Sequence, residues 1–266
     1  MRNTRALLLA AGLGTRLHPF TEHCPKCLIP IAGRPLLEYW LCTLNRCNVN
    51  KVYINIHHHK ELVESFLARS QFSGWVEGVL EEHLLGTAGS LRQILRGLPL
   101  CTTILIHADN WCHCNFQEFV DYHYEHRPND TSITMMTFRT STPGTCGIVE
   151  VDKKGVVHQL YEKVKEPPGN LANGAVYIIE PEVLYWVINN PGVRDFSNEV
   201  LPQFLGNIAT WENKEIHRDI GVLQSLIDAQ YDPQPNLCWL HTDEWLLNYR
   251  KNIVHKRQLR FIVVNG

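Results

Sequence analysis

Residues 7 to 30 read LLLAAGLGTRLHPFTEHCPKCLIP. A mostly apolar run at 5–10 ends there in a loop led by Gly12 and Gly14, with two spaced cations, Arg16 and Lys26. A mostly apolar run of this length fits a strand buried on both faces of a parallel sheet. A parallel strand must be followed by a crossover, so the loop and what comes after it limit the fold to a few arrangements.

The next segments keep to that rule. Pro35 opens a helix with Leu37, Trp40, Leu41 and Leu44 on one stripe. A strand is expected at 51–56, a helix at 61–69 with Leu62, Phe66 and Leu67 facing inward, and a strand at 75–81. A helix at 87–97, a strand at 103–107 running into Ala108 and Asp109, a helix at 115–127 and a strand at 132–138 follow. The rhythm then changes. The runs 147–151 and 156–162 flank the turn DKKG and read as a hairpin. A strand at 174–179, helices at 182–188 and 198–205, a strand at 216–219 and a helix at 222–230 complete the pattern. Alternating β and α segments predict an α/β fold with helices on both faces of a sheet. Ligands of such sheets lie beyond the carboxyl ends of the strands, so the loop at 11–26 and Asp109 should open onto one crevice.

Composition narrows the partners. The 266 residues carry a net charge of −2, which gives no bulk electrostatic case for nucleic acid or an anionic membrane. Nine cysteines, an odd count at irregular spacing, do not form a disulfide framework. The apolar run near the N-terminus is too short to span a bilayer. A cytoplasmic protein with reduced thiols is the expectation.

The loop itself suits an anion. Glycines let backbone N–H groups approach phosphate closely, Arg16 offers a bidentate fork and Lys26 a point charge. The dinucleotide fingerprint would need glycine where Leu17 stands, and no Gly-Lys-Ser/Thr follows, so neither a Rossmann cofactor loop nor a P-loop is present. From spacing alone a surface loop with a chance arginine fits as well. Likewise, an aspartate at a strand end is often only a helix cap.

The full run from Leu7 to Leu41 resembles the signature of the sugar-1-phosphate nucleotidylyltransferases, the NDP-sugar pyrophosphorylases. Gly12, Gly14, Thr15, Arg16, Pro19, Thr21, Pro25, Lys26, Leu28, Pro30, Gly33, Pro35 and Leu36 stand at the pattern's positions. Further on, LGTAGSL (85–91) resembles the family's base-binding turn, most like that of mannose-1-phosphate guanylyltransferases. LIHADN (105–110) resembles the strand bearing a metal aspartate, and YEKVKEP (161–167) the sugar-phosphate segment. NLANGAVYII (170–179) resembles the sugar-binding segment, and RDIGVLQSLIDA (218–229) the element with a second metal aspartate. Ala108, Val164, Val222 and Leu223 depart from the usual neighbours. Each departure leaves the charged or sugar-facing residue in place.

The resemblance implies a Rossmann-like three-layer α/β/α fold with a mixed, mainly parallel central sheet and a small β-hairpin sugar-binding subdomain. It implies transfer of a nucleotidyl group from a nucleoside triphosphate to a sugar 1-phosphate, with Mg²⁺ as cofactor and pyrophosphate as leaving group. GTP with a mannose-like sugar is the expected pair. Arg16, Lys26, Asp109 and Asp219 would be catalytic, with Asp109 and Asp219 holding the metal. Ala11, Gly12, Gly14, Thr15, Gly86, Thr87, Ala88 and Gly89 would bind the nucleotide. Gly147, Glu162, Lys163, Asn173 and Gly174 would bind the sugar phosphate. A UTP- or CTP-dependent enzyme acting on a sugar or choline phosphate, and a non-catalytic NDP-sugar-binding regulator, are the alternatives.

The expected division is a catalytic domain at 1–232 and a tail at 233–266. Trp239, Trp245, Leu246 and Leu247 suit the tail for packing on the body or for a contact in a homo-oligomer. Cys24 and Cys27 sit inside the phosphate loop, and Cys112, His113 and Cys114 lack a partner pair at ligand spacing, so neither group reads as a structural zinc site. His57–His59 read as a polar loop at the crevice mouth.

Overall fold

The computed structural model describes residues 3–239 and 242–255. In chain order the elements begin with β1 (Arg5–Leu9), the short hairpin β2 (Pro30–Ile31) and β3 (Arg34–Pro35), α1 (Leu36–Arg46), β4 (Lys51–Ile56), α2 (Lys60–Leu67) and β5 (Val76–Leu80). Next come α3 (Thr87–Leu95), β6 (Thr103–His107), β7 (Asn110–His113), α4 (Phe116–Asp121), β8 (Ile133–Arg139), β9 (Gly147–Val151) and β10 (Val157–Glu162). The remainder is β11 (Leu171–Ile179), α5 (Pro181–Asn189), β12 (Ile208–Glu212), β13 (Ile216–Asp219), α6 (Leu223–Tyr231) and α7 (Glu244–His255).

One sheet of nine strands forms the middle layer. β1 lies between β4 and β6 and is parallel to both, and β5 extends this parallel part beyond β4. β11 runs antiparallel between β6 and β8, and β12 pairs parallel with β8. Of the seven strands from β5 to β12, only β11 is reversed, which gives the mixed, mainly parallel sheet that the sequence implies. The β9–β10 hairpin hangs from the N-terminal part of β11 through Ala172 and Ile148.

Period-two alternation supplies both cores. Ala6 and Leu8 of β1 and Ile104 and Ile106 of β6 face one core, with Leu37, Trp40, Leu41 and Leu44 of α1, Phe66 of α2 and Phe119 of α4. Leu7 and Leu105 face the other, with Leu91 and Leu95 of α3 and Val183, Leu184 and Val187 of α5. Each fully buried leucine, isoleucine, valine or phenylalanine among them contributes about 1.5–3 kcal/mol relative to exposure.

Two expected helices differ. The segment at 115–127 is α-helical only through Asp121 and continues as a wider π-type turn, Tyr122–His126. The segment at 198–205 is not an α-helix but a π-type turn, Phe196–Val200, followed by a tight turn, Leu201–Phe204. Pro202 explains the second case, because it has no N–H to donate to a continuing helix. Described residues of the tail lie against the body. Trp239 packs edge-on to Phe72 with ring centroids 5.2 Å apart, and Trp245 to Phe66 at 5.2 Å. The Tyr249 hydroxyl donates to the Leu28 carbonyl, and Arg69 Nε to Asp243 Oδ2 at 2.7 Å.

Candidate active site

The carboxyl ends of β1, β4 and β6 open onto a cavity of about 250 Å³. A second cavity of about 290 Å³ lies beside it, towards the β9–β10 hairpin. His107 and Asp109 line both, so the two are joined at the end of β6.

The loop after β1 is folded back tightly at the seam. Gly14 adopts φ +64°, and a Cβ there would come within 2.8 Å of the Thr21 methyl and 3.3 Å of Lys26 Cβ. Only glycine meets both demands without strain. The Thr21 hydroxyl donates to the Gly14 carbonyl at 2.9 Å, and this closes the loop so that Lys26 points inward. The Lys26 ammonium lies between two carboxylates, 2.5 Å from Asp109 Oδ2 and 2.9 Å from Asp219 Oδ1.

Asp109 and Asp219 are far apart in the chain. A local ladder joins them: β13 pairs antiparallel with β7, with Asp219 opposite Asn110, and the Ile220 N–H donates to the Asp109 carbonyl at 3.0 Å. Gly221 lies directly beneath, where a Cβ would stand 2.6 Å from Asp219 Oδ2 and 2.8 Å from Arg16 Nη2. Burial alone would raise the Asp109 carboxyl, but the charge and hydrogen bond of the Lys26 ammonium outweigh it, and Asp109 is held below the usual carboxylate range. Burial lowers His107, and lowers His217 to about 4, so both imidazoles are neutral at pH 7. Two hard oxygen donors converging on one cation suit Mg²⁺, which takes one or two carboxylates plus phosphate oxygens. Among the described residues no cluster of three metal-ligating side chains accompanies them.

The nucleotide-turn residues divide. Ala11, Gly12, Gly86 and Thr87 line the first cavity, together with Lys26 and Asp109. Gly12 has open space where a Cβ would sit. Ala88 is fully buried behind the turn, and Gly89 faces a separate cavity on its other side. Gly14 and Thr15 shape the loop and do not line the cavity. The sugar-phosphate residues Gly147, Glu162, Lys163, Asn173 and Gly174 all line the second cavity, with Asp219 and Arg16. A shift of register in β11 between Asn173 and Tyr177, with Ala175 at φ +52°, turns this stretch towards the crevice. Arg16 is 67% exposed at the rim, 3.4 Å from Asp219.

Sequence reasoning missed the floor of the first cavity. Asn55, buried on β4, accepts from the N–H groups of Ala10 and Ala11 at 2.5 and 3.2 Å. It donates to Glu81 Oε1 at 3.0 Å and to the Ser90 hydroxyl at 3.1 Å. Glu81, only 2% exposed, lines the cavity between Asn55 and Leu84. An asparagine interrupting the apolar run KVYINI, and a glutamate ending the next strand, were the available signals.

A doubly cored α/β sheet whose strand ends carry a glycine-led loop and two facing carboxylates defines a class of nucleotide-handling domain. The chain belongs to the nucleotidyl transferase family, which it matches over residues 5–234. It is 27% identical to mannose-1-phosphate guanylyltransferase of Mycobacterium tuberculosis over 85% of this chain and 64% of that one. It is 30% identical to the UTP--glucose-1-phosphate uridylyltransferase of Synechocystis over 69% of this chain and 50% of that one. The chain therefore spans between half and about two thirds of the length of these relatives. HddC from Yersinia pseudotuberculosis, solved in complex with GMP-PN, shares the fold with a TM-score of 0.71 at 21% identity, covering 85% of this chain and 98% of that one.

Proposed function

We propose that the protein transfers a nucleotidyl group from GTP to a mannose-like sugar 1-phosphate, giving an NDP-sugar and pyrophosphate, with Mg²⁺ as cofactor. The observation that carries this is the junction of two cavities at Asp109, with Lys26 between the paired carboxylates. The first cavity would take the nucleotide and the second the sugar phosphate, so that the attacking oxygen and the α-phosphorus meet at the seam.

The nucleophile needs no base. A phosphate monoester has its second pKa at about 6 and is already an anion at pH 7. Its oxygen forms a bond to the α-phosphorus as the bond to the β-phosphate bridge breaks. Positioning and charge neutralisation are what the protein must supply. Asp109 and Asp219 would hold Mg²⁺, which neutralises phosphate charge when bound. Lys26 would neutralise charge at the α-phosphate. Arg16, exposed at the rim beside Asp219, would close on the β- and γ-phosphates together with N–H groups of the loop at 12–15. Gly86 and Thr87 would contact the base, with Ala88 and Gly89 packing behind them. Glu162 would bind sugar hydroxyls, Lys163 the sugar phosphate, and Asn173 with Gly174 the ring, which lies against Gly147.

Glu81 supports guanine. Guanine presents N1–H and an adjacent amino group, two parallel donors that a carboxylate accepts together. Uracil and thymine present one N–H flanked by two carbonyls, which a carboxylate repels. The test is pyrophosphate release with GTP or UTP against a panel of sugar 1-phosphates. The wild type should prefer GTP in kcat/KM, and Glu81→Gln should reduce that preference about tenfold or more, in line with about 1.5–3 kcal/mol for hydrogen bonds to a charged group. An unchanged preference in Glu81→Gln would remove Glu81 from base selection.

A further inference from the structure

Helix α7 lies beyond residues 5–234, the stretch that matches the nucleotidyl transferase family, yet it reaches back to the loop that holds Lys26. The Tyr249 hydroxyl donates to the Leu28 carbonyl and also meets the Cys24 thiol. It therefore touches the chain both two residues before Lys26 and two residues after it. Lys26, Cys27 and Leu28 form one tight turn. The Leu28 N–H donates to the Pro25 carbonyl at 2.8 Å, and the Ile29 N–H to the Lys26 carbonyl at 3.1 Å. Next to Tyr249, Arg250 Nε donates to the Gly33 carbonyl at 2.9 Å. From α6, the Gln230 amide donates to the Pro30 carbonyl and accepts from the Ala32 N–H, each at 3.0 Å. Thr21 on Gly14 closes the loop from within, and α6 and α7 hold it from outside.

The helix has its own anchors. The Leu246 N–H donates to Asp243 Oδ1 at 2.9 Å, and Asp243 Oδ2 accepts from Arg69 Nε. Arg69 and Arg34 both donate to the fully buried Glu38, at 2.7 and 2.6 Å. Asp243 thus brings a second carboxylate to two buried guanidiniums. Trp245 lies 5.3 Å from the Arg69 guanidinium and stacks on Tyr249, with ring centroids 4.8 Å apart and planes at 16°. These contacts hold the Tyr249 ring, and the place of its oxygen, without help from the loop.

We propose that Tyr249 is a positioning residue for nucleotidyl transfer, holding the turn at 24–28 so that the Lys26 ammonium stays between Asp109 and Asp219. Lysine is a point charge on a flexible stem, so the place of its ammonium depends on how firmly its backbone is held. A reaction that relies on positioning and charge neutralisation is sensitive to that place. Tyr249 touches no reacting atom and acts through Cys24 and Leu28. The effect on catalysis rests on the transferase reading, whereas the restraint on Lys26 does not.

Tyr249→Phe keeps the stacked ring and removes the hydroxyl. It should lower kcat for pyrophosphate release about tenfold, less than the roughly 100-fold that an ångström of misplacement can cost, with the KM for sugar 1-phosphate unchanged. Ile208→Ala, on β12 in the core of the other sheet face, is the control for lost stability. It should lower the melting temperature at least as far as Tyr249→Phe and leave kcat at the wild-type value. A second readout needs no turnover: limited acetylation of the full chain with acetic anhydride, followed by peptide mass mapping. The buried Lys26 should react several-fold faster in Tyr249→Phe than in the wild type, and no faster in Ile208→Ala. A Tyr249→Phe variant with wild-type kcat and wild-type Lys26 reactivity, or a kcat loss equalled by Ile208→Ala, would overturn the proposal. Faster acetylation of Lys26 in Tyr249→Phe, with no turnover by the wild type on any substrate pair, would instead overturn the transferase reading and leave the restraint in place.

Discussion

At the scale of single residues, charge placement governs the molecule. Away from the crevice, Glu180 shows the same physics in a structural role. Its carboxylate meets His123 Nε2 at 3.2 Å and Arg127 at 2.8 Å, and accepts from the Thr102 hydroxyl at 3.0 Å. The His123 hydrogen bond, opposed by burial and aided by Arg127, lowers its pKa from 4.5 to about 2. A carboxyl lowered on folding stabilises the native state above its unfolded value, and that contribution is lost as pH falls from about 4.5 towards 2. Glu180→Gln should therefore cost on the order of 1 kcal/mol at pH 7, after allowing for solvent screening of a half-buried group. It should also flatten the acid limb of a urea-denaturation series across that window. An unchanged acid limb would mean that Glu180 is not the group responsible. Residues with a distinctive neighbourhood in sequence, such as Lys26 and Asp109, were legible. Asn55 and Glu81 were not, because a single polar residue in or after a strand looks the same in sequence whether it faces solvent or floors a cavity.

At the scale of elements, backbone conformation decides what a position tolerates. Gly86 sits at φ +79°, and a Cβ there would lie 2.5 Å from the Arg194 carbonyl oxygen. Gly86→Ala should displace the turn and raise the KM for nucleotide about tenfold, with a smaller effect on the KM for sugar phosphate. Equal effects on both would place Gly86 outside the nucleotide side. In α7, Leu246 is fully buried against the core that holds α1 and α2. Leu246→Ala should cost about 2–4 kcal/mol in chemical denaturation, as other buried leucine truncations do. A loss below about 0.5 kcal/mol, the usual range for surface substitutions, would show that α7 does not pack there in solution. Strongly periodic strands and helices were legible because burial imposes their period. β7 was not, because its residues Asn-Trp-Cys-His pair only with β13 and carry no period of their own. β12, which is only five residues long, lies in a stretch to which the sequence pattern assigns no element. The π-type turns were missed because their composition is that of ordinary helix.

At the scale of the whole molecule, the sheet brings together segments that sequence separates. Lys26, Asp109 and Asp219 meet because β1 and β6 are parallel neighbours and because β7 and β13 pair beyond them. The resemblance marked these residues one by one, whereas their convergence on a single ammonium is a property of the fold. The same topology sets the two cavities side by side with Asp109 in the wall of each. The most direct measurement is pyrophosphate release from GTP on addition of mannose 1-phosphate and Mg²⁺, in the wild type and in Asp109→Asn. Release in the wild type, reduced about 100-fold or more in Asp109→Asn, is the result predicted for loss of one charge-stabilising group. A wild type silent with every nucleoside triphosphate and sugar 1-phosphate, or an Asp109→Asn variant as active as the wild type, would contradict it.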